Sequence, residues 1–464
     1  MGKKPKIGLL PLYLELYDKT LPEVRKSFQP LIDKIVNSFK ANGVDVITAD
    51  VCRLANEFGN AVLRFEQESA DCIVTLHLAY SPSLESIDAL IGTELPIVVL
   101  DVTMDMRFGR NTHPDRIMYN HGIHGVMDMT CMLRRHGKRF CIVAGYAGDS
   151  KVIKRAVAMI RGAMAARHMS RTKVLRIGDS FKGMGDFYVE SDTLLKALGI
   201  TVHQAGLDEL AGSVDLVTVK DIDNELAADR EKYCCDLAED VHRRSLRVCL
   251  ATRRILETGG YDAFSMNFLA FSMSEGPVDT VPFLEACKAM ARGIGYAGEG
   301  DVLTAALVGA LSQGFGEVTF TELFCPDWEG SSLFLSHMGE VNPVLAMEQP
   351  RLIEYNFPYT PAQNPAKLTC CLKQGPATFV DIVPGPNDSF SLIAAPVEML
   401  GDTSVAEMKD SVRGWMKPVL PLESFLEKYS QYGGTHHSAL IMGNEMEGIR
   451  AFADFMGLQC NIIS

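Results

Sequence analysis

The sequence predicts an α/β protein: two doubly wound α/β domains followed by a C-terminal, antiparallel, β-barrel-like domain. Three observations predict it. At 464 residues the chain exceeds one hydrophobic core of ordinary size, so two or three domains are expected. Up to about Glu317, short apolar runs alternate with amphipathic ones, the pattern of a parallel sheet covered by helices on both faces. Beyond Glu317 the signals become short strand-like pieces interrupted by Pro, Gly and Asn, the pattern of antiparallel β structure and of barrels.

In chain order, Ile7 to Leu10, Val44 to Thr48, Cys72 to His77, Ile97 to Asp101 and Phe140 to Gly145 read as strands. Between the first two, Val24, Phe28, Leu31, Ile32, Ile35 and Phe39 keep one apolar face, so a helix is expected. Thr20 and Glu23 form a capping-box pattern with Pro22 in the first turn, and Gly43 ends the helix. Val174 to Ile177 reads as a strand. Ser191 to Leu198, the charged stretch from Asp223 to Leu256, Asp279 to Gly293 and Val302 to Leu311 read as helices. Leu368 to Leu372, Ala377 to Ile382 and Ser389 to Ala395 are strand-like, and Asn444 to Met456 is a closing helix.

Composition excludes several classes of function. A net charge of -13 argues against nucleic acid or an anionic membrane as partner, because both repel an acidic surface. No apolar run reaches the ~20 residues that span a bilayer. The 12 cysteines stand singly or as vicinal pairs with no Cys-x-x-Cys, so they read as reduced thiols, and the cytoplasm is the expected compartment.

One stretch asks for chemistry. In Tyr296-Ala297-Gly298-Glu299-Gly300-Asp301 an acid sits between two glycines just before a helix. Glycine permits a sharp turn and a close approach, so this acid is well placed to bind a metal or move a proton. Gly293-x-Gly295-x-x-Gly298 also matches the dinucleotide fingerprint formally. It follows a helix rather than a first strand, so nucleotide binding is rejected. Glu322 interrupts an apolar strand pattern, Thr319 to Phe324, and a buried acid needs a partner. His337 ends the run Leu333 to Ser336, and His436-His437 follow Gly433-Gly434-Thr435. Side chains alternate along a strand, so one of these two histidines is the ligand candidate and the other a neighbour. Each residue alone reads as an ordinary rim or loop position. Together they form a mixed Glu/His set, which suits Mn²⁺, Fe²⁺, Co²⁺ or Zn²⁺ rather than Ca²⁺.

These same segments resemble the bacterial L-arabinose isomerases. Gly298-Glu299-Gly300-Asp301 with Thr304-Ala305-Ala306 is similar to their Gly-Glu-Gly-Asp-x-x-Thr-Ala-Ala. Ser336-His337-Met338-Gly339-Glu340-Val341 is similar to Ser-His-Met-Leu-Glu-Val, and Gly433-Gly434-Thr435-His436-His437 to Gly-Gly-Ala-His-His. Arg176-Ile177-Gly178-Asp179, Gly260-Tyr261-Asp262-Ala263-Phe264 and Asn120-His121-Gly122-Ile123-His124-Gly125 resemble further segments in the same order. The resemblance spans nearly the whole chain and points to the L-arabinose and L-fucose isomerase superfamily.

The resemblance implies domains at 1–169, 170–316 and 317–464, the last completing a metal site. It implies metal ligands Glu299, Glu322, His337 and His437, with Mn²⁺ as the metal and Co²⁺ or Mg²⁺ as substitutes. Glu299 and Glu322 are implied as the catalytic acids, and Tyr17, His121, His124, Phe181, Phe268 and His436 as sugar contacts. A homo-hexamer is implied, in which the N-terminal domain of one subunit reaches the site of the next. The sequence departs from the family pattern at His121, in place of a glutamine, and at Phe181, in place of a methionine. The expected activity is metal-dependent aldose–ketose isomerisation. An epimerase, an isomerase of a modified sugar and a non-catalytic sugar-binding protein stand as alternatives.

Overall fold

The computed structural model describes residues 3–464, which form two compact units. One comprises Lys3–Arg167 with Glu447–Gly457, the other His168–Met446 with Leu458–Ser464.

The first unit is built on five parallel strands, β1 (Lys6–Leu12), β2 (Asp45–Thr48), β3 (Cys72–His77), β4 (Ile97–Thr103) and β5 (Phe140–Tyr146), in the order β2-β1-β3-β4-β5. Every residue of β3 is buried, because helices cover both faces of the sheet. Ile7, Leu9, Val74 and Leu76 pack on one side with the helices Gln29–Ala41 and Ser150–Met169. Leu10, Leu12, Ile73 and Val99 pack on the other with Ala55–Gln67 and Ile123–Arg135.

The expected helix from Val24 to Phe39 starts later than its apolar pattern suggests, at Gln29. Pro30 is the reason. Its missing N–H and its ring fit only the first helical turn, so Arg25–Phe28 forms a 3₁₀ turn instead. The Thr20 hydroxyl donates back to the Leu16 carbonyl at 3.2 Å and caps nothing downstream.

The second unit opens with β6 (Lys173–Ile177), β7 (Thr201–Ala205), β8 (Cys234–Asp236), β9 (Ala263–Met266) and β10 (Gly295–Gly298). Four of them form a parallel sheet in the order β10-β9-β6-β7. The expected helix from Asp223 to Leu256 is two helices, Val219–Lys232 and Glu239–Gly259. Between them β8 pairs with β13 (Arg351–Glu354), so tertiary pairing overrides local helix preference. The expected helix from Asp279 is confined to Phe283–Ala291, since Pro282 disfavours helical geometry in the residue before it.

The remaining strands are β11 (Val318–Asp327), β12 (Ser332–Ser336), β14 (Ala366–Thr369), β15 (Gly375–Pro384), β16 (Phe390–Met399), β17 (Gly414–Pro418), β18 (His437–Met442) and β19 (Gln459–Ile462). Six of them close an antiparallel barrel, β15-β18-β11-β12-β17-β16 and back to β15, and β19 adds to β16 in parallel. Closure leaves no unpaired edge within the ring. Leu335, Phe379, Ile393, Met416 and Leu440 belong to its buried core. β14 pairs with β13 in a separate three-stranded sheet.

One helix, Val302–Phe315, is apolar and buried on nearly every side. It packs against β9 and β10 of the parallel sheet and against β11 and β18 of the barrel. Such a helix must be surrounded by protein, and it ties the two sheets of this unit together. Its contact with β10 has no spare room. A Cβ on Gly295 would lie 2.1 Å from the Ala305 carbonyl oxygen and 2.4 Å from the Gly309 nitrogen. Two glycines of the apparent dinucleotide fingerprint thus have packing roles, Gly295 here and Gly298 below. Gly295→Ala should destabilise the protein by at least about 3 kcal/mol, the upper range of overpacking costs. Urea unfolding checks this, and an unchanged midpoint would refute the close approach.

Candidate metal centre

Glu299 owes its position to a turn at the carboxyl end of β10. Its φ is +63° and that of Gly300 is +82°. For a residue with a Cβ the left-handed region costs about 1–2 kcal/mol. The turn is held by neighbours. The Phe181 N–H donates to the Glu299 carbonyl at 2.9 Å, and the Ser180 hydroxyl to the Gly300 carbonyl at 3.2 Å. Ser180 and Phe181 follow β6, and Phe268 follows β9. The strand order reverses between β6 and β9, and open α/β sheets bind ligands at the carboxyl ends of strands beside such a reversal. The Phe181 and Phe268 rings lie there, 5.7 Å apart.

The barrel supplies the other donors. Glu322 on β11 is in register with His437 on β18 and with Ser336 on β12. Directly opposed residues share a face, so Glu322 and His437 point the same way, and His337 follows at the end of β12. Glu322, His337 and His437 each place one donor atom within 4.8 Å of the others, and so do Glu299, His436 and His437. His437 Nε2 lies 3.5 Å from Glu299 Oε2, and His337 Nε2 lies 3.8 Å from Glu322 Oε2.

Each imidazole is oriented by a second carboxylate. His437 Nδ1 pairs with Asp301 Oδ2 at 3.0 Å, His337 Nδ1 with Glu340 Oε2 at 2.7 Å, and His436 Nδ1 with Asp186 Oδ2 at 2.6 Å. A carboxylate only accepts, so Nδ1 carries a proton, and when the ring is neutral Nε2 keeps its lone pair for the site. His437 is fully buried, stacked on Phe187 at 5.0 Å and edge-on to Phe320 at 5.0 Å. Its Nε2 has no hydrogen-bond partner. A buried polar atom left that way is costly, and a metal ion is a fitting partner. A single lone pair on Nε2 cannot serve two ions, so the two triads describe the surroundings of one.

The electrostatics of the cluster favour a cation. Burial drives His337 down, but Glu340, Glu322 and Glu299 outweigh it and raise it to about 9. His436 is likewise lowered by burial and raised, by Asp186 and Glu299, to about 10. Glu299 is pushed up by burial but held below its ordinary value by His436, His337 and His437. Glu322 is pushed above its ordinary value, because burial prevails over His337 and His437. The acids hold protons on His337 and His436, and a divalent cation would supply that charge instead.

Residues 173–313 match the L-arabinose isomerase central domain, and residues 317–459 match the L-arabinose isomerase C-terminal domain. The chain belongs to the L-arabinose isomerase-like family. The L-arabinose isomerase of Oceanobacillus iheyensis is 26% identical, over 98% of this chain and 97% of its own. That of Lactiplantibacillus plantarum is 26% identical, over 95% and 94%. That of Acidothermus cellulolyticus is 26% identical, over 83% and 78%.

Of the residues singled out in this family member, Glu299, Glu322, His337, His436 and His437 come together at the centre, and Phe181 and Phe268 line the same end of the parallel sheet. His436 precedes β18 rather than lying on it. Strand alternation therefore does not separate it from His437, and its Nε2 also reaches Glu299 Oε2, at 3.6 Å. Tyr17, His121 and His124 form a group of their own in the first unit. Tyr17 Oη lies 3.2 Å from His121 Nε2, and the His121 and His124 rings are 5.9 Å apart.

Sequence reading missed the orienting acids. Asp301 and Glu340 stand inside the quoted motifs and could have been found there as histidine partners. Asp186 and Asp381 carry no spacing signal. Asp381 Oδ2 accepts from the Thr435 N–H and the Tyr429 hydroxyl, both at 2.8 Å, and its Oδ1 lies 3.0 Å from Thr435 Oγ1. Thr435 Oγ1 also donates to the His437 carbonyl at 2.8 Å. One hydroxyl proton cannot serve both at once, so a proton on Asp381 Oδ1 would supply the second bond.

A Cβ on Gly298 would fall 2.8 Å from His337 Cε1, and Glu340 holds the adjoining Nδ1 of that ring in place. Gly298→Ala should weaken Mn²⁺ binding by about 10–100-fold, the usual effect of disturbing a ligand's support. Calorimetric titration of Mn²⁺ reads this, and wild-type affinity would argue against His337 as a ligand.

Burial raises Asp381 to about 7 against the opposing hydrogen bonds from Thr435 and Tyr429. A raised acid stabilises the fold fully below its unfolded value of about 3.9, and that stability is lost as pH climbs through about 7. Asp381→Asn mimics the neutral acid. Relative to the wild type it should therefore gain about 2–3 kcal/mol between about pH 5 and about pH 8. Urea unfolding at both pH values decides, and a difference independent of pH would refute the neutral acid.

Proposed function

We propose that this family member is a divalent-metal-dependent aldose–ketose isomerase acting through an enediolate, with Glu299, Glu322, His337 and His437 as the metal ligands and Mn²⁺ as the ion. The observation that carries this reading is the buried, unpartnered Nε2 of His437, aimed among Glu299, Glu322 and His337 by Asp301. The mixed nitrogen and carboxylate donor set suits Mn²⁺ or Co²⁺, and less readily Mg²⁺. When bound, the ion would polarise the oxygens on C1 and C2 of the sugar and lower the cost of removing the carbon-bound proton.

The residues of the chain perform the proton transfers. Isomerisation moves one proton between neighbouring carbons and another between their oxygens. Two acids with divided pKa values suit two such roles. Glu299, held below its ordinary range by the three histidines, is suited to take the carbon proton and return it to the next carbon. Glu322, raised by burial, is suited to carry the proton between oxygens. His436 contacts a sugar hydroxyl, and Phe181 and Phe268 pack against the carbon skeleton. Tyr17, His121 and His124 are proposed to contact the sugar of a neighbouring copy in a homo-hexamer, as the resemblance implies. His121 and Phe181 depart from the family pattern, so the sugar in the relatives' name is not carried over. An epimerase or an isomerase of a modified sugar is the second reading on these grounds.

Dialysis against EDTA should abolish isomerisation and added Mn²⁺ should restore it. Glu299→Gln should lower kcat by about 10²–10⁴-fold, the range of general acid–base catalysis, with folding intact by circular dichroism. A panel of aldoses and ketoses in D₂O reads both activity and the exchanged carbon position. Full turnover with no metal detectable by mass spectrometry would sink the metal assignment. Deuterium wash-in without an aldose–ketose product would favour epimerisation.

A further inference from the structure

His436 and His437 are held in different ways. His437 is fully buried and clamped between Phe187 and Phe320. The His436 side chain is 31% exposed, so packing alone does not choose its ring orientation. What orients it is Asp186, on the loop between β6 and the helix Ser191–Leu198. Asp186 Oδ2 accepts both the backbone N–H of His436, at 3.0 Å, and its Nδ1–H, at 2.6 Å. The same loop is fastened to the centre at two further points. Phe181 and Ser180 bond the Glu299 turn, and Phe187 stacks on His437.

His436 Nε2 and Glu299 Oε2 are 3.6 Å apart, beyond a hydrogen bond between them. A hydroxyl oxygen placed beside that gap lies within about 2.8 Å of both. With one proton to give, it can donate to Glu299 Oε2 and accept from an N–H at His436 Nε2. We propose that Asp186 is a positioning residue: it fixes the His436 imidazole so that Nε2, together with Glu299, grips one hydroxyl of the bound sugar. The proposal rests on the isomerase reading of Glu299, and it goes further by naming the residue that sets the orientation of His436.

The test is a four-variant kinetic comparison of the full-length, Mn²⁺-loaded protein with L-arabinose as the probe sugar. Asp186→Ala should lower kcat/KM by about 10–100-fold, the usual loss on removing a supporting partner. Bound Mn²⁺ should stay at the wild-type level, because His337 and His437 are held by Glu340 and Asp301. Asp186→Asn should stay near wild type, since one amide oxygen can accept both N–H groups. In a His436→Ala background, Asp186→Ala should add no further loss. An equal loss in that background, or an Asn variant as impaired as the Ala variant, overturns the proposal. If the wild type does not turn over L-arabinose, that outcome concerns the substrate reading. The crystal structure of Asp186→Ala then decides on its own: a His436 ring turned from Glu299 supports the positioning role, and an unchanged ring overturns it.

Discussion

Two oxygens of one buried carboxylate join the pieces on which the centre depends. Asp301 is inaccessible to solvent. Its Oδ1 accepts the Thr304 N–H at 2.9 Å and caps the helix Val302–Phe315, while its Oδ2 holds Nδ1 of His437 at 3.0 Å. The first bond satisfies a helix N-terminus, which has free N–H groups and a positive field suited to an acid. The second fixes an imidazole on the barrel. The parallel sheet and the barrel are thereby held in one geometry by a residue two positions from Glu299. Losing this carboxylate would leave both a helix end and a buried imidazole without a partner, and such losses are not additive.

The loop before β18 repeats the device. Thr435, His436 and His437 are each held by a different acid: Asp381, Asp186 and Asp301. A loop ordinarily has freedom to move, and three consecutive anchors remove it. Pre-organisation of this kind lets donor atoms stand ready without the entropy cost of ordering them at each encounter. Asp186 also raises His436, together with Glu299, as Glu340 raises His337. Orienting the imidazoles with acids and gathering donors that could hold a cation are two consequences of one arrangement.

What was legible in the sequence follows the range of the forces involved. The strands of the first unit were readable because burial on both faces makes each a continuous apolar run, as in Cys72 to His77. The turn at Glu299 was readable because its glycines are local. The start of the helix at Gln29 departs from the apolar pattern, because one proline outranks it. The pairing of Cys234–Asp236 with Arg351–Ile353 could not be seen, since it depends on a partner far along the chain. The alignment of Glu322 with His437 depends likewise on strand register, which no local pattern discloses. Asp186 and Asp381 were invisible for a plainer reason: an acid in a loop or on a strand has the same sequence signature whether it faces solvent or a histidine.

The backbone at Glu299 gives an independent reason to regard this side chain as used. Glycine would relieve the left-handed φ at no steric cost, and Gly300 beside it already does so. A carboxylate kept in that conformation bears about 1–2 kcal/mol of strain and the further cost of its own burial. Its Oε2 lies 3.6 Å from His436 Nε2 and 3.5 Å from His437 Nε2. Strain of this kind persists where the surroundings over-determine it. Here the Phe181 and Ser180 bonds to the turn do so, and what they secure is the direction of one carboxylate toward His437 Nε2.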